Sequence, residues 1–184
     1  MVDDGSHDPT LILPVAVDLA SPPPSLLVPV VASNPGANGT MWRSDLSIVS
    51  RAAEAVHIDA VFQPAEPGSS TIFRSLEVPP HAALELEDVV HETFGTSGSG
   101  SLDLEPSSPG VFVFSRTYND DPDGTYGQSV PTVTVDQLIR TGEVAVLAGL
   151  SSAGGFRTNL GITSVSGEDT TVTVRVFADD SDFI

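Results

Sequence analysis

The chain carries one stretch twice. Trp42-Arg43-Ser44-Asp45-Leu46-Ser47-Ile48 returns as Phe156-Arg157-Thr158-Asn159-Leu160-Gly161-Ile162, an offset of 114 positions. At the same offset Val56, Ile58, Ala60 and Phe62 stand opposite Thr170, Val172, Val174 and Val176. The apolar/polar alternation stays in phase across both copies. A period of two places successive side chains on opposite faces of a β-strand. Two like strand pairs lead to the expectation of two related halves of a β-sandwich.

A second echo lies near the N-terminus. Leu11, Leu13, Val15 and Val17 match Leu26, Val28, Val30 and Ala32 at an offset of 15, with Pro14 opposite Pro29. Val144–Ala148 is a third relative of the same pattern. Proline has no N–H to give to a ladder, so these strands are expected at a sheet edge or switching partners at the proline. Ser21-Pro22-Pro23-Pro24-Ser25 between the first two is a stiff, extended connector. The chain therefore divides into an extension over 1–25, with a donor-like strand over 11–17, and a domain over 26–184.

Helix formers are sparse, whereas Val, Thr, Ser, Gly and Pro are abundant, with 16 Gly and 15 Pro. That balance favours short strands joined by turns, and 40% hydrophobic residues suffice for a core. Within the domain, strands are expected at 26–32, 41–50, 55–63, 70–78, 84–86, 101–105, 111–118, 143–149, 155–164 and 170–178. Helical turns are expected at 87–94, stopped by Gly95, and at 136–140. The fold class is all-β: a β-sandwich of about ten short strands with an extra N-terminal strand.

Seven basic residues face 25 acidic ones, for a net charge of −18, and all seven are arginine. Nucleic acid and anionic membrane surfaces demand clustered Lys and Arg, so neither is an expected partner. The absence of lysine is read first as genomic base composition. No cysteine is present, so neither disulfides nor thiol chemistry enter. No apolar run approaches the ~20 residues of a membrane-spanning helix, so no membrane insertion is expected. Met1–His7 lacks the basic start and apolar stretch of a signal peptide. The chain is thus either cytosolic or a secreted protein whose signal was removed, and composition favours the second.

Asn119, Asp121 and Asp123, followed by Gly124, resemble the opening of a calcium loop, with oxygen ligands at alternate positions. The place of the closing bidentate glutamate is taken by Val130, so a plain hairpin turn is the favoured reading and calcium the weaker one. Arg43 and Asp45 share a strand face, as Arg157 and Asn159 do, and structural ion pairing is expected of them. Trp42, the one tryptophan, is expected as a core anchor ahead of a sugar-stacking platform. Tyr118 and Tyr126 bracket the acidic turn and are the better surface contacts. His7, His57, His81 and His91 have no metal-like spacing, and His57 is expected on a solvated sheet face. No Gly-x-Ser-x-Gly elbow and no dinucleotide fingerprint occurs, and nothing singles out two of the 25 acids as a catalytic pair. An enzyme is not expected.

Val28-Pro29-Val30-Val31-Ala32, Gly39-Thr40-Met41-Trp42-Arg43-Ser44-Asp45-Leu46, Leu86-Glu87-Asp88-Val89-Val90 and Ser115-Arg116-Thr117-Tyr118 resemble an uncharacterised bacterial β-sandwich module. So do Gly124-Thr125-Tyr126-Gly127-Gln128 and the second copy at 156–160. The resemblance covers about residues 26–180 and implies an immunoglobulin-like sandwich in a secreted or cell-surface protein. It brings no catalytic residues. Taken together, the sequence leads to the expectation of an extracellular structural or adhesive subunit. It would be a homo-oligomer, assembling head to tail by donation of Leu11, Leu13, Val15 and Val17 to a neighbour. The other reading is a monomeric accessory module that binds glycan or protein.

Overall fold

The computed structural model describes residues 25–150, 158, 160–166 and 169–177. The expected N-terminal strand, with Leu11, Leu13, Val15 and Val17, lies outside the described residues, as does His7.

The alternation that marks β2 (Met41–Ser50) and β3 (Val56–Pro64) in the sequence is realised as burial. Ser44, Leu46, Ile48 and Ser50 turn inward from β2, and Val56, Ile58, Ala60 and Phe62 from β3. His57, Asp59 and Gln63 face solvent between them, as expected for His57. The remaining strands are β1 (Leu26–Pro35), β4 (Ile72–Val78), β5 (Ala83–Leu86), β6 (Gly98–Pro106), β7 (Val111–Asp121), β8 (Gly124–Pro131) and β9 (Val133–Thr134). All nine belong to one antiparallel sheet, so the chain is all-β. Among the described residues helix is confined to short 3-10 turns at Ala37–Gly39 and Val135–Gln137 and one π-helical turn at Val89–Thr93. Among the described residues no helix is long and apolar enough to cross a membrane.

The strand order is β4-β3-β6-β1-β2-β7-β8, with β5 paired to β2 and β9 to β1. β2 and β7 are in register from Trp42 opposite Asn119 to Ser50 opposite Val111. After β8 the chain crosses at Thr132, whose hydroxyl donates to the Val113 carbonyl at 2.9 Å. It then pairs Val133 and Thr134 with Leu27 and Leu26. The path β1-β2-β7-β8/β9 thus returns to β1, and β4 meets β2 across three intervening strands of the order. The sheet folds over on itself around one core.

Pro29 shows how β1 serves both sides. Its pairing with β6 shifts by one residue between Val28 and Val31. Before the shift β1 also pairs β9, and near its end it pairs β2. The missing N–H therefore falls at a bulge where the strand changes partners. β1 is an inner strand, and the edge alternative does not hold for it.

Val28, Val31, Ile48, Ile58, Phe62 and Leu102 are fully buried at the centre. Each such side chain contributes roughly 1.5–3 kcal/mol relative to exposure. The π turn plugs one side. It buries Val89, Val90 and Phe94, and the Phe94 ring lies 5.6 Å from that of Phe62. Gly95, at φ 70°, ends the turn as its sequence position suggested.

The set of strands differs from expectation in two places. β8 and β9 occupy a stretch in which no strand was expected. Residues 143–150 form no strand, and the described part of the second copy (158, 160–166, 169–177) forms none beyond an isolated bridge at Phe177. Among the described residues the second copy therefore adds no strand to this sheet. The physical reason is in the pairing. β2 draws its ladder from β1, β5 and β7, and β3 from β4 and β6, whereas β2 and β3 do not pair with each other. A copy of β2 and β3 therefore cannot complete its ladders by pairing with itself.

Candidate functional site

A polar cleft forms where β2 and β7 lie side by side and the loop before the π turn crosses them. Arg43, Glu87, Asp88, Glu92, Tyr118 and Asp120 line it. Four carboxylates surround one guanidinium.

Arg43 is placed by β2, opposite Tyr118 on β7. Its Nη1 pairs with Asp88 Oδ2. Its Nε lies 2.9 Å from Asp120 Oδ2 without hydrogen-bond alignment, so that contact is ionic only. Asp88 is the buried member, 5% exposed, and it takes the left-handed backbone conformation at φ 40°. Few residues other than glycine accept that geometry, and Asp and Asn are among them. The conformation lets the Asp88 carbonyl accept from the His91 and Glu92 amides, which starts the π turn. The Asp88 amide donates to Asp45 Oδ1 at 2.9 Å, and the Tyr118 hydroxyl donates to the same oxygen at 3.2 Å. Asp45 thereby ties the loop to β7.

The Arg116 guanidinium sits 4.6 Å from the centre of the Tyr118 ring, a cation–π contact. Burial, followed by the Asp45 charge and hydrogen bond, pushes the Tyr118 phenol up to about 12. It is therefore a fixed donor at neutral pH. The cleft offers carboxylates and the acceptor oxygen of one phenol, a surface suited to cationic or hydroxyl-rich groups.

The residues singled out in the sequence separate into different jobs. Asn119 Oδ1 accepts from the Met41 amide at 2.8 Å, which ties β7 to the start of β2. Asp121 Oδ1 accepts from the Asp123 amide at 3.0 Å, closing the β7–β8 hairpin over Pro122 and Asp123. Among the described residues no group of three His, Asp or Glu side chains gathers as a metal site. Tyr126 stands 53% exposed on β8, opposite Asn119. Trp42 is half-buried and not a core anchor. Its indole covers Gly36, where a Cβ would meet Nε1 at 2.4 Å. The ion pairing expected of Arg43 is present, with Asp88 and Asp120 as partners while Asp45 serves the loop. Asp88 is the residue that sequence reasoning missed; its signal was an acid at the start of the helical turn expected over 87–94.

No protein-family model matches the sequence, and neither does any curated protein. A solved structure is similar in fold: the crystal structure of Thermotoga maritima 1070, with a TM-score of 0.50 at 14% identity. The match covers 61% of this chain and 95% of that one. At that identity the likeness is one of fold, an all-β sheet.

Proposed function

We propose that the protein is an extracellular structural or adhesive subunit, an immunoglobulin-like sandwich that joins copies head to tail by strand donation. The donor is Leu11, Leu13, Val15 and Val17. The observation that carries this reading is β1, the near-copy of the donor. β1 lies beside β6 with Leu26 and Val28 buried and its proline accommodated at a bulge. A sequence of this pattern is thus suited to strand addition. Among the described residues the end strand β4 pairs with β3 alone, and it carries Phe73 at 69% exposure. An added strand there gains main-chain hydrogen bonds, and its alternate apolar side chains set the register.

Negative-stain microscopy of the full chain beside a form starting at Ser21 tests the proposal. Filaments in the full chain alone support it. Monodisperse particles in both refute it. Replacing Phe73 by Lys, a charge of the kind that blunts natural sheet edges, should shorten or abolish the filaments. A second reading rests on the Arg43–Asp88–Tyr118 cleft: a monomeric accessory module that binds a polar glycan or a cationic protein group there. Saturable glycan binding by a monomer, lost on Tyr118→Phe, would favour it.

A further inference from the structure

Among the described residues the outer face of β3, β4 and β6 lies bare. Register sets its side chains in rows: Phe73, Val61 and Asp103 in one, and Ser75, Asp59 and Glu105 in the next. Glu77 and His57 form a third. Phe73, Ser75, Asp59 and Glu105 are exposed, and together with Val61 they line an open hollow of about 520 Å³.

The charge on this face is of one sign. Asp59, Glu77, Asp103 and Glu105 all turn outward, in register with one another and away from the buried Ile58, Ala60 and Leu104. The basic side chains of the three strands are Arg74 and His57. Arg74 turns to the opposite face, where its guanidinium donates to the Thr93 and Phe94 carbonyls at 3.0 and 2.9 Å. His57 lies 3.6 Å from Glu77, and Gln63 donates to Asp103. Asp59 and Glu105 stand directly opposite each other, and among the described residues neither carboxylate has a hydrogen bond or an ion pair. Like charges directly opposite on neighbouring strands destabilise a sheet. The fold gains nothing by keeping both, whereas a cation set between them is held from two sides.

We infer that this face docks a basic polypeptide segment, with an arginine of the partner between Asp59 and Glu105 and an apolar residue over Phe73 and Val61. The two rows are two residues apart along the strands, about 7 Å, which is also the spacing of side chains i and i+2 in an extended partner. Arginine and aromatic side chains are the ones that interfaces favour. A second copy of this chain fits poorly, since its net charge of −18 opposes the carboxylates of the face. The inference goes beyond strand donation, which uses the edge of β4, and beyond the cleft, and it fails or holds apart from both.

The probe is the peptide Thr-Arg-Thr-Leu-Thr-Arg-Thr-Leu-Thr with a fluorophore at its N-terminus, which sets arginine and leucine alternately along one strand face. Its anisotropy is followed as the full chain is added at 0.15 M salt, where a screening length of about 8 Å suppresses the general pull of the protein's charge. Asp59→Asn with Glu105→Gln should weaken binding about ten-fold, the loss of two exposed ion pairs. The same form should have a higher urea midpoint, because the repulsion is gone. Phe73→Ser, at an exposed position, should weaken binding as well. Glu54→Gln with Glu66→Gln removes the same charge from exposed loops and should leave binding unchanged. Equal weakening by both pairs of substitutions would mean attraction to total charge alone and overturns the inference. A loss confined to Glu87→Gln with Glu92→Gln would move the arginine to the cleft and overturns it too. So does an oligomer that dissociates as the peptide is added, because a second copy then covers the face. Absence of binding, or a urea midpoint that fails to rise, also overturns it.

Discussion

Removing the Arg43 guanidinium strands the Asp88 carboxylate, which is buried and already has one oxygen without a hydrogen bond. Breaking a fully buried pair costs about 3–5 kcal/mol. Arg43 is one-third exposed, so water screens part of that. Arg43→Ala should lower stability by about 2 kcal/mol in urea unfolding followed by Trp42 fluorescence. Arg43→Ala with Asp88→Asn should recover part of the loss, because the amide carries no charge to strand. Additive losses would contradict the pairing. Tyr118 gives a second readout. With Tyr126→Phe it is the one tyrosine left, and its absorbance titration should centre near 12, above the ordinary 10. A raised phenol pKa means that the folded state holds its proton longer than the unfolded chain. The contribution to stability is therefore complete below pH 10 and is lost as pH rises through 12. A midpoint at 10 would show that the phenol is neither buried nor held by Asp45.

The strands differ in how openly the sequence announces them. β2 and β3 are legible because each buries one face, so alternation and burial are the same fact. Pro29 offered two readings, and only the pairing of β1 with β6, β9 and β2 decides between them. β8 is hidden: over Gly124–Pro131 only Val130 is buried, and the strand exists because β7 supplies its ladder. The second copy errs the other way, carrying a strand pattern that its described residues do not form as strand beyond a bridge at Phe177. The cleft was half visible, since Arg43 could be foreseen as an ion-pair residue while its partners come from a loop and a hairpin distant in sequence. Close approach between elements leaves a sharper mark. Gly100 on β6 sits against β3, and a Cβ there would meet the Gln63 carbonyl oxygen at 2.2 Å and the Phe62 ring at 2.7 Å. The first obstacle is backbone of a neighbouring strand and cannot rotate away. Gly100→Ala should cost about 1–3 kcal/mol, read as a lower urea midpoint with an unchanged slope. An unshifted midpoint would mean that β3 and β6 are not packed this closely.

At the scale of the whole molecule, charge and apolar exposure oppose each other. A net charge of −18 makes every approach of two copies repulsive at long range. The exposed apolar side chains of β4 and of residues 143–177 attract only at contact. Salt acts on the first and leaves the second nearly untouched, since the screening length falls from about 30 Å at 0.01 M to about 8 Å at 0.15 M. Association of this protein with itself should therefore strengthen as ionic strength rises. That is the reverse of a complex held by opposite charges, whose attraction salt weakens. Sedimentation velocity across that salt range, at fixed protein concentration, should show larger species growing with added salt. The Phe73→Lys form should show less growth, because it places a charge on the edge that strand addition would use. Association that falls with salt would mean that Arg43 and the other arginines, and not the sheet edges, hold copies together. A monomer at every salt concentration would refute self-assembly.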